Sequence, residues 1–95
     1  MSTELVDRVR EGLAQRLVEY AVLSIQAEGI EPTRALVINQ VEMMGRIRTP
    51  LEDPEQERFA RSALAEAGSR LAAGEWDAII EGIARGEISV IREPE

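Results

Sequence analysis

The sequence has 95 residues, too few for a second hydrophobic core, and contains no Cys, His or Lys, so all 11 basic residues are Arg. These absences exclude zinc fingers, thiol and imidazole catalysis, a P-loop lysine and a Schiff base. The net charge of −7 opposes direct binding to nucleic acid or to an anionic membrane, because both are negatively charged. We expect one cytoplasmic domain over residues 1–95, since the chain shows neither a signal-peptide pattern nor an apolar run of membrane length.

The first predicted helix covers residues 4–28. Gly29 suits the left-handed position that often follows a helix, and Ile30 supplies the apolar contact after it. Near the end of this helix, Val18, Val22 and Ile25 lie opposite the main apolar stripe, so the helix must be covered on two sides. That stripe consists of Leu5, Val6, Val9, Leu13, Leu17 and Tyr20.

The second predicted helix, residues 34–48, is apolar around more than half of its circumference, and Thr49-Pro50 ends it. Two interpretations follow from this breadth. The helix lies at the centre of a compact bundle, or one side of it joins the end of the first helix in a second apolar surface that another chain covers.

The length of the first helix favours the second interpretation. A helix of this size runs about 36 Å, whereas a spherical globule of this chain length is about 32 Å across. Either this helix bends at Gly12, or it projects and packs against a second copy. We predict the homodimer, and we expect Gln40 to hydrogen-bond across whichever interface forms, because an unsatisfied buried amide costs about 1–3 kcal/mol. The predicted interface residues are Val18, Val22, Ile25, Val37, Gln40, Val41 and Met44.

Two further helices are predicted in the second half, over residues 54–73 and 75–85. Asp53 is a typical N-cap, Pro54 suits the first helical position, and Gly74 separates the two helices. The buried face of the third helix is rich in alanine, which predicts a close neighbouring helix, and Trp76 is the expected anchor of the core. The predicted fold class is all-α, a small four-helix bundle.

The last segment, residues 87–95, is predicted to be an extended tail. Ile88 and Val90 alternate with Ser89 and Ile91, a period of two that is typical of extended chain. Two roles are open: a strap that packs back onto the fourth helix, or a tail that binds a partner as an added strand through Ile88, Val90 and Ile91.

No catalytic, cofactor-binding or metal site is predicted. The densest acidic cluster, Glu52 to Glu57, surrounds the start of a helix, where acids offset the macrodipole. It lacks the spacing of a calcium loop. The arginines do not gather on one face, as direct nucleic-acid binding would require.

The negative charge is concentrated in the second half of the chain. Residues 52–95 carry 11 acids and 5 Arg, whereas residues 1–51 carry 7 acids and 6 Arg. We therefore expect a non-enzymatic protein–protein interaction module, such as an accessory subunit, adaptor or assembly factor, that dimerises through its first half. The alternative is an acidic inhibitor that blocks a basic nucleic-acid-binding or catalytic surface of a protein partner, in the manner of an anti-CRISPR protein or an antitoxin.

Overall fold

The computed structural model describes residues 3–90, and within that range the chain forms four α-helices. They are α1 (Thr3–Ala27), α2 (Arg34–Ile47), α3 (Pro54–Ala72) and α4 (Asp77–Ala84). Each boundary lies within two residues of the predicted one, and the predicted all-α four-helix bundle is confirmed. None of these helices has both the length and the apolar character that crossing a membrane requires.

Local hydrogen bonds account for the helix ends. The side chain of Thr33 accepts a hydrogen bond from the Leu36 amide (3.4 Å), and Asp53 accepts one from the Glu55 amide (2.9 Å). Gly29 and Gly74 follow α1 and α3 with φ values of 78° and 77°, which glycine adopts without a steric penalty. α4 begins two residues later than predicted, because residues 73–76 form a turn.

The core forms where α1 packs against the other three helices, and its most extensive contact is with α3. Both helices bury small side chains, Ala14 and Ala21 on α1 and Ala63 and Ala67 on α3, which allows their axes to approach closely. Trp76 is 4% exposed, and the guanidinium of Arg70 lies 5.5 Å from the centre of its ring. Trp76 is therefore part of the core, as predicted.

The length of α1 does not require a second chain. The molecule measures 39 × 31 × 28 Å, and a helix of 25 residues is about 37 Å long. The prediction that α1 exceeds the width of a monomer was wrong, because it assumed a sphere and the bundle is elongated.

The described part of the tail, residues 87–90, packs back onto its own chain. The Ile88 amide donates to Gly82 O (3.2 Å), and a Cβ atom on Gly82 would lie only 2.7 Å from Ile88 Cγ1. Val90 packs against the core, and its amide donates to the Glu19 carboxylate (2.6 Å). Among the described residues, Ile88 and Val90 thus follow the first of the two predicted roles, a strap that packs onto its own chain. Ile91 lies outside the described residues.

Candidate interaction surface

Most of the side chains predicted for the dimer interface lie inside the single chain. They pack between the helices of one bundle and have 0–7% of their surface exposed. A second copy cannot cover side chains that are already buried, so the predicted interface is corrected at these positions. The residues concerned are Val18, Val22, Ile25, Val37 and Val41.

The two remaining predicted interface residues are half-buried and have partners in their own chain. Gln40 Nε2 donates to Ser24 Oγ (3.5 Å), which links α2 to α1. Met44 lines an apolar cavity of about 220 Å³ between α1, α2 and α3, together with Leu13 and Leu17. The hydrogen bond of Gln40 thus crosses the interface between α2 and α1 of its own chain.

The exposed apolar side chains lie almost entirely in the first half of the chain. Of the ten large ones among residues 3–90, nine fall between residues 5 and 51. On α1, Leu5, Val9, Tyr20 and Leu23 are 44–55% exposed, and on α2 the most exposed is Ile47, at 77%. An apolar surface is therefore present on the two predicted helices, but it is made by different residues.

These exposed side chains lie on adjacent helices, because α1 and α2 are antiparallel neighbours. Ser24 meets Gln40 near one end of the pair, and Leu17 and Met44 share a cavity further along. The exposed sides of the two helices consequently lie next to each other. We call this surface the α1–α2 apolar face; it comprises Val9, Leu13, Leu17, Tyr20 and Leu23 of α1 and Leu36, Met43 and Ile47 of α2.

α1 has the two apolar sides that its residue spacing predicts, but their roles are the reverse of the predicted ones. The stripe containing Val9 and Tyr20 faces outward and not into the bundle. The sequence feature that distinguishes the inward side is the pair Ala14 and Ala21, which lie on the same side as Val18. Their small side chains allow a neighbouring helix axis to approach closely.

A second group of apolar side chains continues the face toward the start of α1. Leu5, Val6 and Val9 form a shallow apolar cavity of about 350 Å³ with Phe59 of α3. Leu13 and Phe59 also line the adjacent cavity, whose rim carries Asp53 and Glu55. The apolar surface thus ends at the acidic start of α3.

Two members of the acidic cluster at the start of α3 have structural roles: Asp53 caps the helix, and Glu57 is bound by arginines. Glu57 accepts a bidentate pair of hydrogen bonds from Arg48 (2.6 and 2.7 Å), one from Arg61 (2.7 Å) and one from the Leu51 amide (3.0 Å). Arg48, then Arg61 and the Leu51 amide, hold the pKa of the Glu57 carboxyl well below its usual range. These hydrogen bonds hold the loop between α2 and α3 against the first turns of α3.

A second ion pair joins the starts of α2 and α4. Arg34 Nε donates to Asp77 Oδ1 (2.9 Å), and a second bond links Arg34 Nη2 to Asp77 Oδ2. The hydrogen bond from Arg34 lowers the pKa of Asp77. The Arg48–Glu57 and Arg34–Asp77 ion pairs thus fix how α2 is placed relative to α3 and to α4.

The side chains of the α1–α2 apolar face suit apolar contact with another molecule. Among residues 3–90, acidic side chains nowhere gather in a group of three or more that could hold a metal ion. No protein-family model, curated protein or solved structure matches this chain.

Proposed function

We propose that this chain is a non-enzymatic, cytoplasmic protein–protein interaction module and that the α1–α2 apolar face is its binding surface. The observation that carries the proposal is the clustering of half-exposed aliphatic and aromatic side chains on two adjacent helices. Contiguous apolar surface of this kind on a small protein marks an interaction site, whereas isolated apolar residues do not. The function is that of an accessory subunit, adaptor or assembly factor.

The amount of exposed apolar surface on α2 supports this proposal. Leu36, Met43 and Ile47 stand on one side of the helix, and none of the three is buried by its own chain. Moving such a side chain from full exposure to full burial is worth about 1.5–3 kcal/mol, and these three, which are 38–77% exposed, have realised only part of it. A partner that covers the face recovers much of this free energy.

A pair of glutamate substitutions tests the proposal. Ile47→Glu places a charge in the face, whereas Ala65→Glu places one at an exposed position of α3 outside it. Both variants should retain the helical circular dichroism of the wild type. We expect Ile47→Glu, and not Ala65→Glu, to form fewer oligomers than the wild type in light scattering or to retain fewer proteins from a lysate of the host. Identical behaviour of the three proteins in both assays would reject the α1–α2 apolar face as the binding surface.

An acidic inhibitor is a second candidate function, and the exposed glutamates of the second half of the chain favour it. Several exposed glutamates there form no ion pair within residues 3–90. Binding through these carboxylates would weaken sharply as salt is added, since exposed charges are screened, whereas binding through the α1–α2 apolar face would persist. The glutamates are Glu52, Glu55, Glu75, Glu81 and Glu87.

A further inference from the structure

We propose that the partner of this protein is an amphipathic helix whose apolar side is bordered by basic residues, and that it binds in a groove between the first half of α1 and the start of α3. This inference rests on the proposed function and deepens it by naming the chemistry of the partner. The groove consists of three apolar cavities of about 350, 460 and 220 Å³. We call it the α1–α3 groove; it shares Val9, Leu13 and Leu17 with the α1–α2 apolar face.

The three cavities are continuous because neighbouring ones share wall residues. Phe59 lines both the first and the second cavity, and Leu13 and Ala60 line both the second and the third. On α1 the walls run from Leu5 to Leu17, a distance of about 18 Å along the helix axis. That length matches about three turns of a facing helix.

The α1–α3 groove suits a helix better than an extended segment. Its long walls are the helices α1 and α3, which present side chains and not a strand edge. The Leu51 amide beside the middle cavity is already bonded to the Glu57 carboxylate (3.0 Å). An added strand gains affinity from main-chain hydrogen bonds to a sheet edge. A helix satisfies its own backbone and inserts apolar side chains three and four residues apart into such a groove.

Negative charge lies along one side of the groove. Asp53 and Glu55 line the middle cavity, and Glu52 directly precedes Asp53 in the chain. All three residues are exposed, and none of them forms an ion pair within residues 3–90.

Two arginines at the groove are paired with acids of their own chain. Arg48, which lines the third cavity, donates two hydrogen bonds to Glu57 (2.6 and 2.7 Å). Arg10, whose guanidinium lies 5.8 Å from the centre of the Phe59 ring, donates to Asp7 (3.1 Å). Among the residues that line the three cavities, the charges that remain unpaired are therefore negative. Lysine or arginine on the partner complements them.

The apolar walls and the acidic side have different roles in this recognition. Burial of the partner's apolar side chains in the cavities provides affinity. The carboxylates beside the groove chiefly set the rate of association and the choice of partner, since a helix with an acidic border is repelled.

Two labelled synthetic peptides test the chemistry of the partner. Each has about 15 residues, long enough to form a helix, with leucines spaced three and four residues apart; the other positions are alanine and lysine in one and alanine and glutamate in the other. Binding to the full chain is followed by fluorescence anisotropy. We expect the lysine peptide to bind about tenfold or more tightly than the glutamate peptide. Added salt should weaken this binding without abolishing it, because exposed charges are screened and apolar contacts are not.

A matched pair of double variants tests where the charge acts. Glu52→Gln with Glu55→Gln removes two charges beside the groove, and Glu75→Gln with Glu81→Gln removes two exposed charges that follow the other end of α3. α3 has 19 residues and is about 28 Å long, well beyond the screening length of about 10 Å at 0.1 M salt. The first pair should weaken binding of the lysine peptide about three- to tenfold, and the second should change it by less than about twofold. Equal losses would mean attraction to the overall charge and would overturn the site.

Two glutamine substitutions test the apolar walls without changing the charge. Val9 lines the first cavity and is 53% exposed, whereas Ala65 is an exposed residue of α3 that lines none of the three cavities. Both variants should keep the helical circular dichroism of the wild type. Val9→Gln should weaken binding of the lysine peptide about fivefold or more, and Ala65→Gln should leave it unchanged. Equal binding by the two variants would overturn the groove as the site.

The remaining outcomes separate this inference from the proposed function. A wild type that binds neither peptide, or that binds both equally, would overturn the basic amphipathic helix as the partner. In that case, loss of a captured protein in Ile47→Glu alone would still support the α1–α2 apolar face as a binding surface.

Discussion

At the scale of single residues, Glu19 connects the strap to the bundle. Among residues 3–90 it is the one charged residue that is buried, with 4% of its surface exposed. Its carboxylate accepts hydrogen bonds from Ser89 Oγ (3.1 Å) and from the Val90 amide (2.6 Å). A buried carboxylate is tolerated when such bonds replace those to water.

Replacing Glu19 by Ala should loosen the strap. The change leaves the Val90 amide without its acceptor, and we expect unfolding in urea to show a loss of about 1–3 kcal/mol. Hydrogen exchange at the Val90 amide should accelerate at the same time. Glu19→Gln, which keeps one acceptor oxygen, is the conservative control and should lie between the alanine variant and the wild type. Unchanged protection of the Val90 amide in Glu19→Ala would contradict this role.

Glu57 makes the folded state sensitive to acid. Its depressed pKa means that the folded state binds a proton more weakly than the unfolded chain does. The stabilisation is complete above the ordinary pKa of 4.5 and declines as the pH falls toward the lower value of the folded state. Urea unfolding from about pH 6 to about pH 3 should therefore show a shallower loss of stability for Glu57→Gln than for the wild type. Curves that fall in parallel would contradict this assignment.

At the scale of secondary-structure elements, α1 has two apolar sides with different roles. The side with Ala14 and Ala21 packs into the bundle, and the side with Val9 and Tyr20 faces outward. Helices approach most closely where side chains are small, so α3 packs against the side of α1 that carries the alanines. The bulkier residues of the outer side remain for a partner.

Two valine-to-alanine substitutions on α1 distinguish these sides. Val18 is fully buried, so Val18→Ala should destabilise the fold by about 2 kcal/mol through lost burial and a residual cavity. Val9 is 53% exposed, so Val9→Ala should change the stability of the monomer by less than about 0.5 kcal/mol. Thermal and urea unfolding of dilute protein provide the comparison. A larger loss for Val9→Ala would mean that the outer side is the structural one.

At the scale of the whole molecule, apolar exposure and charge are separated along the chain. Nine of the ten exposed large apolar side chains lie between residues 5 and 51, and the excess negative charge lies in residues 52–95. A molecule built this way can bind through one half and keep the other in water. Its net charge of −7 also opposes unspecific association of the copies.

The sequence determined the four helices and their ends by itself, because those features depend on hydrogen bonds and backbone angles within a few residues. Asp53 caps α3 through the amide two positions later, and Gly29 adopts a left-handed angle at the end of α1. The existence of two apolar sides on α1 was likewise evident from residue spacing alone.

Only the tertiary structure decided which of those sides is the interior. The answer depends on how closely α3, a helix far from α1 in sequence, can approach each side, and spacing within α1 carries no such information. For the same reason residue spacing predicts a dimer interface at Val18, Val22 and Ile25, although these residues belong to the core. The sequence thus determined that a second apolar surface exists, and the packing of α1 on α3 decided that Val9, Tyr20 and Leu23 form part of it.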